Sequence, residues 1–141
     1  MMLADILQQR AGEVIQVTPD IPVRTVIALL GDHRIGAVPV VEDGVVIGIM
    51  SERDVIYSLQ RDGAAILEWP VERVMTRPVI TVESSLSPLA GLSLMTRRRI
   101  RHLPVVDDGK LVGFVSIGDL VKVRIELIES EAEAMRAYIA S

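Results

Sequence analysis

The segment Pro104-Val105-Val106-Asp107-Asp108-Gly109 runs through Gly113 to Ser116-Ile117-Gly118-Asp119, and its skeleton already stands 65 residues earlier. There Pro39-Val40-Val41 precedes Asp43-Gly44, Gly48 and Ser51-Glu52-Arg53-Asp54 at the same intervals. The correspondence extends outward without a gap, from residues 14–59 onto 79–124. The 141-residue chain is therefore two copies of one motif. Two copies are too few, and this period too long, for a solenoid, so the pattern predicts a pair facing each other across a pseudo-two-fold axis.

Each copy reads alike. A β-branched run, Val14-Ile15-Gln16-Val17 or Val79-Ile80-Thr81-Val82, predicts a strand. Apolar positions at helical spacing follow, Ile21, Val26, Ile27, Leu29 and Leu30 in one copy and Leu86, Leu89, Leu92, Leu94 and Met95 in the other. Pro22 and Pro88 fall near the first turns of these helices, where a missing N–H costs little. Two strands joined by Asp43-Gly44 or Asp108-Gly109 form a tight hairpin, and Ser51 or Ser116 opens a second helix. The fold class is α/β (α+β): strand, helix, strand, strand, helix, twice. Residues 1–64 are expected to form the first motif with an N-terminal helix, and 65–141 the second. The last helix outruns its counterpart, with Val121, Ile125, Ile128, Ala132, Met135 and Ile139 keeping one apolar face in register. That face packs on its own sheet or the N-terminal helix, or forms a dimer contact.

Composition narrows the function. Half the residues are apolar but 3% are aromatic, namely Tyr57, Trp69, Phe114 and Tyr138, which disfavours base-stacking nucleic-acid modules. A net charge of -4 and a pI near 5.2 argue against a general polyanion binder. With no cysteine and two histidines lacking a carboxylate cluster, thiolate catalysis, disulfides and zinc sites are not expected, nor is any other metal. No leader is evident at Met1-Met2-Leu3-Ala4-Asp5, and residues 44–51, the longest uncharged apolar stretch, fall short of the roughly 20 needed to span a bilayer. The expectation is a cytoplasmic protein without a membrane role.

Three features could carry chemistry. Ser51-x-x-Asp54 and Ser116-x-x-Asp119 read as helix caps, yet a carboxylate beside a helix N-terminus also suits a ribose diol, with the serine and first-turn amides available to phosphate. Arg97-Arg98-Arg99-Ile100-Arg101-His102, with His33-Arg34 in the first copy, concentrates positive charge that an anion would screen. Pro39 and Pro104 lie inside apolar strands, which predicts an edge or a bulge there and a backbone open to a flat heterocycle.

Both copies resemble CBS motifs, and nearly the whole chain resembles a stand-alone CBS-domain pair, or Bateman module. In copy two the resemblance rests on Val74-Met75-Thr76 leading into residues 79–82, then on residues 99–106, Gly113 and residues 116–120. In copy one it rests on residues 33–41 and 51–55. It implies clefts for AMP, ADP, ATP, NAD(H) or S-adenosylmethionine, in which Asp54 and Asp119 hold ribose hydroxyls with Ser51 and Ser116 beside them. The base would lie against Ile80, Thr81, Leu103 and Pro104 in one cleft and Ile15, Val38 and Pro39 in the other. His102 stands where copy one has Ala37, and Thr81 where it has Gln16, so unequal affinities are expected. Phosphates on the ligand of Asp119 would point to His33 and Arg34, and those on the ligand of Asp54 to Arg98, Arg99 and Arg101.

The implied function is a non-catalytic sensor, expected as a homodimer, that regulates a partner enzyme or transporter in trans; the alternative is a ligand-free oligomerisation scaffold. Inosine monophosphate dehydrogenase carries a similar motif pair, but its chemistry needs a cysteine and a separate barrel of about 250 residues. No catalytic residue is assigned, and nucleic acid is disfavoured as a partner.

Overall fold

The computed structural model describes residues 1–10 and 12–141. Helix α1 (Leu3–Gln8) precedes α2 (Val23–His33), the hairpin β1 (Ala37–Glu42) and β2 (Val45–Ser51), and α3 (Glu52–Asp62). Two short 3-10 turns, Gly63–Glu68 and Val71–Arg73, lead into copy two: α4 (Pro88–Arg98), β3 (His102–Asp107), β4 (Lys110–Ser116) and α5 (Ile117–Ala140). Both hairpins turn as expected. Asp43 and Asp108 have φ of 52° and 51°, and Gly44 and Gly109 follow at 81° and 77°, the paired positive values of a two-residue turn that suits the strand twist.

Each copy has a two-stranded antiparallel sheet, β1 with β2 and β3 with β4. The predicted leading strands shrink to single parallel bridges, Val17 to Val40 and Val82 to Val105. The prolines explain this. The Val17 amide donates to the Pro39 carbonyl and Val41 donates back to Val17, but extending the ladder toward Ile15 would require an N–H from Pro39. Pro104 stops the segment before Val82 in the same way. The bulge expected at the prolines lies just beyond them, between Val40 and Val41 and between Val105 and Val106, where β2 and β4 each carry an extra residue before Gly48 and Gly113.

The apolar residues form two cores, and each core borrows a segment. Val23, Val26, Leu30, Val38, Val40 and Met50 pack with Ile66, Val71, Val74 and Met75 from the connector. Met95, Leu103, Val105, Val115, Leu120 and Val123 pack with Leu3 and Ile6 of α1. The N-terminal helix, expected with the first motif, thus fills the second core. Fully burying one such aliphatic side chain stabilises by about 1.5–3 kcal/mol, so the borrowed residues matter to each half. Gly48 and Gly113 make the fit possible: a Cβ on Gly48 would collide with the Met75 side chain, and one on Gly113 with that of Leu7.

In α5 only Leu120 and Val123 are buried, and everything from Ile125 onward is exposed. The expected packing of its apolar face on the sheet or on α1 is not found: Val121 to Ile139 are exposed along that face, and it is Leu120 and Val123, off the face, that reach the core.

Candidate functional site

The two Ser-x-x-Asp motifs form complete capping boxes. Ser51 Oγ accepts from the Asp54 amide at 3.3 Å, while the Ser51 amide donates to Asp54 Oδ2 at 2.8 Å. In copy two the matching distances are 3.2 and 2.7 Å. Each carboxylate is thereby fixed at a positive helix end with lone pairs left to accept more donors.

The connector segments complete each carboxylate differently. Asp54 Oδ1 accepts from Thr76 Oγ1 at 2.7 Å. Asp119 Oδ2 instead meets Arg10 Nη2 at 2.5 Å, and Arg10 Nη1 donates to the Phe114 carbonyl at 2.6 Å. Burial pushes the Asp119 carboxyl up, but the Ser116 amide and the Arg10 guanidinium together outweigh it and hold Asp119 below the usual carboxylate range.

Arginines enter the clefts from strained helix ends. Arg34 caps α2 with φ 52° and Arg99 caps α4 with φ 54°, the left-handed region that costs a residue with a Cβ about 1 kcal/mol or more. The following amides, Ile35 and Ile100, reach back to the Leu30 and Met95 carbonyls, closing both ends. From these matched helix ends Arg99 lines one cavity and Arg34 another.

These groups converge on two clefts. The first, of about 350 Å³, joins Ser51, Asp54, Thr76 and Tyr57 to Ile80, Arg99, Arg101 and His102 of the other copy. The second, of about 480 Å³, joins Ser116, Asp119, Arg10 and Phe114 to Ile15, Arg34 and Ala37. Both volumes suit a small ligand. His102 lines both clefts and stacks on Phe114 with ring centroids 5.5 Å apart. Burial lowers its pKa, against the opposing pull of Asp119 and Glu52, so it is held neutral near pH 7.

A family model described as "CBS domain" matches residues 4–61 and 71–126. This chain belongs to the CBS-domain family. The CBS domain-containing protein YhcV of Bacillus subtilis is 35% identical over 111 residues, covering 77% of this chain and 76% of that one. A CBS-domain protein of Agrobacterium tumefaciens, ATU1752, superposes with a TM-score of 0.81 at 38% identity, covering 87% of this chain and 92% of that structure. The CBS pair of protein MJ0100, solved with 5′-methylthioadenosine and S-adenosyl-L-methionine, gives 0.76 at 26% identity over 87% and 94%. Inosine-5′-monophosphate dehydrogenase of Mycobacterium tuberculosis matches 74% of this CBS pair at 37% identity, but the match spans 19% of that enzyme.

Of the residues predicted from sequence, Ser51, Asp54, Ile80, Arg99, Arg101 and His102 meet in the first cleft, and Ser116, Asp119, Ile15 and Arg34 in the second. Others do not line either. Val38 and Leu103 point fully into the two cores, Pro39 and Pro104 are buried in their strands, and Thr81 lies in a separate shallow depression with Arg77 and Val106. His33 and Arg98 sit exposed on the last turns of α2 and α4, away from the cavities that Arg34 and Arg99 enter. Few as the aromatics are, Tyr57 and Phe114 each line a cleft.

Sequence reasoning missed Thr76 and Arg10. Thr76 lies in the lead Val74-Met75-Thr76 that carries the CBS resemblance and could have been found there; Arg10 aligns with Met75, so the repeat gave no signal for it. Among the described residues no helix is long and apolar enough to cross a membrane, and no cluster of three or more side chains could hold a metal ion.

Proposed function

We propose that this CBS pair is a non-catalytic sensor of adenosine-containing ligands, acting in the cytoplasm on a partner enzyme or transporter, with the Asp54 cleft as its principal site. The observation that carries the reading is a fixed carboxylate, Asp54, with two hydroxyls beside it, facing Ile80 and the guanidinium groups of Arg99 and Arg101 across one cavity. The carboxylate suits a ribose diol, Ile80 and Tyr57 offer faces for a base, and the arginines suit phosphate. The adenosyl ligands named for the MJ0100 pair support the same class. The more cationic first cleft favours ADP, ATP or NAD(H), and the second, where Arg10 occupies the carboxylate, favours AMP or S-adenosylmethionine.

A second reading has its own support: both Ser-x-x-Asp motifs form complete capping boxes, which gives them a purely structural role. Thermal shifts with AMP, ADP, ATP, NAD, NADH, GTP and S-adenosylmethionine on wild type, Asp54→Ala and Asp119→Ala separate the two. A ligand at 100 times its dissociation constant adds about 2.7 kcal/mol of apparent stability. A shift that Asp54→Ala abolishes supports the sensor, and no shift with any ligand leaves the scaffold.

A further inference from the structure

The two cleft carboxylates are met by the same pair of contacts, supplied from unrelated positions. In the first copy Thr76 makes both: its amide donates to the Ile49 carbonyl at 2.8 Å and its hydroxyl to Asp54 Oδ1 at 2.7 Å. Ile49 and Phe114 hold the same place in the repeat. In the second copy one guanidinium performs both tasks, with Arg10 Nη1 donating to the Phe114 carbonyl at 2.6 Å and Nη2 to Asp119 Oδ2 at 2.5 Å. Arg10 is thus a charged replacement for Thr76, although it aligns with Met75. The contacts match, but the group beside the carboxylate changes from neutral to cationic.

That charge alters what the second cleft can accept. Bringing a ribose diol to Asp119 makes the carboxylate exchange one partner for another, and a neutral nucleoside leaves the Arg10 cation without its counter-charge. The exchange is open because the pair is shallow: its two side chains are 39% and 34% exposed, and ion pairs so exposed hold weakly. The Arg10 backbone is held, its amide bonded to the Leu7 carbonyl at the end of α1, whose Leu3 and Ile6 are buried in the second core. The guanidinium has N–H groups to spare, so it can keep the Phe114 carbonyl and turn toward a new acceptor in the same cavity. Arg34 lines that cavity too, and Glu13, the other carboxylate there, is exposed. A phosphate on the ribose would meet two guanidinium groups, whereas the sulfonium of S-adenosylmethionine would bring a further positive charge to them.

We propose that Arg10 is the specificity residue of the second cleft: it yields Asp119 to a ribose in exchange for an anion, which selects a nucleoside monophosphate over a neutral nucleoside or a sulfonium ligand. This selection presupposes that the clefts are adenosine sites, as proposed above, and narrows what the second of them takes.

Calorimetry on the full chain tests it with adenosine, AMP and S-adenosylmethionine, in an Asp54→Ala background that weakens the first cleft. AMP should bind about tenfold tighter than either other ligand. Arg10→Ala should tighten adenosine and S-adenosylmethionine a few-fold and weaken AMP about tenfold, so that the preference collapses. Arg10→Lys, which keeps the charge and loses the planar fork, should hold AMP within about threefold of the parent. Arg10 is exposed, so circular dichroism should show each variant folded. A merely structural role would move all three ligands together. Such a uniform change, or a preference for AMP that survives Arg10→Ala, overturns the proposal. It also falls, with the sensor reading intact, if AMP binds the wild-type chain but not the Asp54→Ala background; if none of the three binds the wild-type chain, the sensor reading falls with it.

Discussion

The Asp54 and Asp119 clefts share a frame and differ in their lining. Each has a serine-capped helix, a carboxylate in the first turn, and an arginine held in the left-handed region on the opposite wall. The frame repeats because it is backbone geometry, in which a serine, an aspartate, a proline and an Asp-Gly turn each serve a local need. The lining differs because it comes from two other sources. Positions 36 and 37 are Gly36 and Ala37 where the second copy has Arg101 and His102. The connectors also differ, one giving a neutral hydroxyl, Thr76, to Asp54, the other a guanidinium, Arg10, to Asp119. Changes at these two wall positions and in the connectors are enough to make two unlike clefts from one motif.

The largest test of that difference compares the two carboxylates. Asp54→Ala should weaken nucleotide binding about a hundredfold by calorimetry, through loss of charge-assisted hydrogen bonds worth about 1.5–3 kcal/mol each. Asp119→Ala should cost less than about tenfold, because its carboxylate is already engaged; the reverse order would invert the comparison. Next comes the variant Arg101→Gly with His102→Ala, which rebuilds the first wall in the image of Gly36-Ala37. ATP affinity should fall about tenfold while AMP affinity changes little, the distinction expected from losing a phosphate contact. Equal losses for both ligands would show that these residues shape the cavity and do not select phosphate.

Arg10→Ala should have a smaller effect, strengthening adenosine binding in the second cleft a few-fold by releasing Asp119. It should also flatten the acid limb of stability. The lowered pKa of folded Asp119 contributes stability present above its unfolded value, near 3.9, and lost as pH falls through the folded one. Removing one cause of the lowering narrows that window, and acid unfolding curves would register it. The smallest effect belongs to His102. Its folded pKa is lowered by burial, so its contribution is complete above about 6.5 and declines as pH falls from there toward the folded value. His102→Asn should make stability less dependent on pH across that interval, and an unchanged profile would place the imidazole in water.

The repeat made most of the frame readable. Proline, the Asp-Gly turns and the Ser-x-x-Asp boxes have fixed local consequences, so the hairpins and both cap sites followed from spacing, while the facing of Asp54 to Arg99 was implied by the CBS resemblance. Reach was harder to read. Val38 and Leu103 alternate into the cores where a base contact was expected, because neighbours on a strand face opposite sides. The leading strands failed for the same local reason that made the prolines conspicuous, since the missing N–H lies on the side where the extra strand would pair. Arg10 was invisible because its role depends on α1 packing into the second core, a contact set by tertiary fit at Gly113 and Leu7.

That crossing of segments governs how the molecule comes apart. A cut after residue 64 would strip Ile66, Val71, Val74 and Met75 from the first core, and the released second half would lack Leu3 and Ile6. Neither fragment keeps the interior it needs, so the two repeats should melt as one cooperative unit, with a single calorimetric peak whose van't Hoff and calorimetric enthalpies agree. A ligand seated in either cleft would then tighten the whole chain at once.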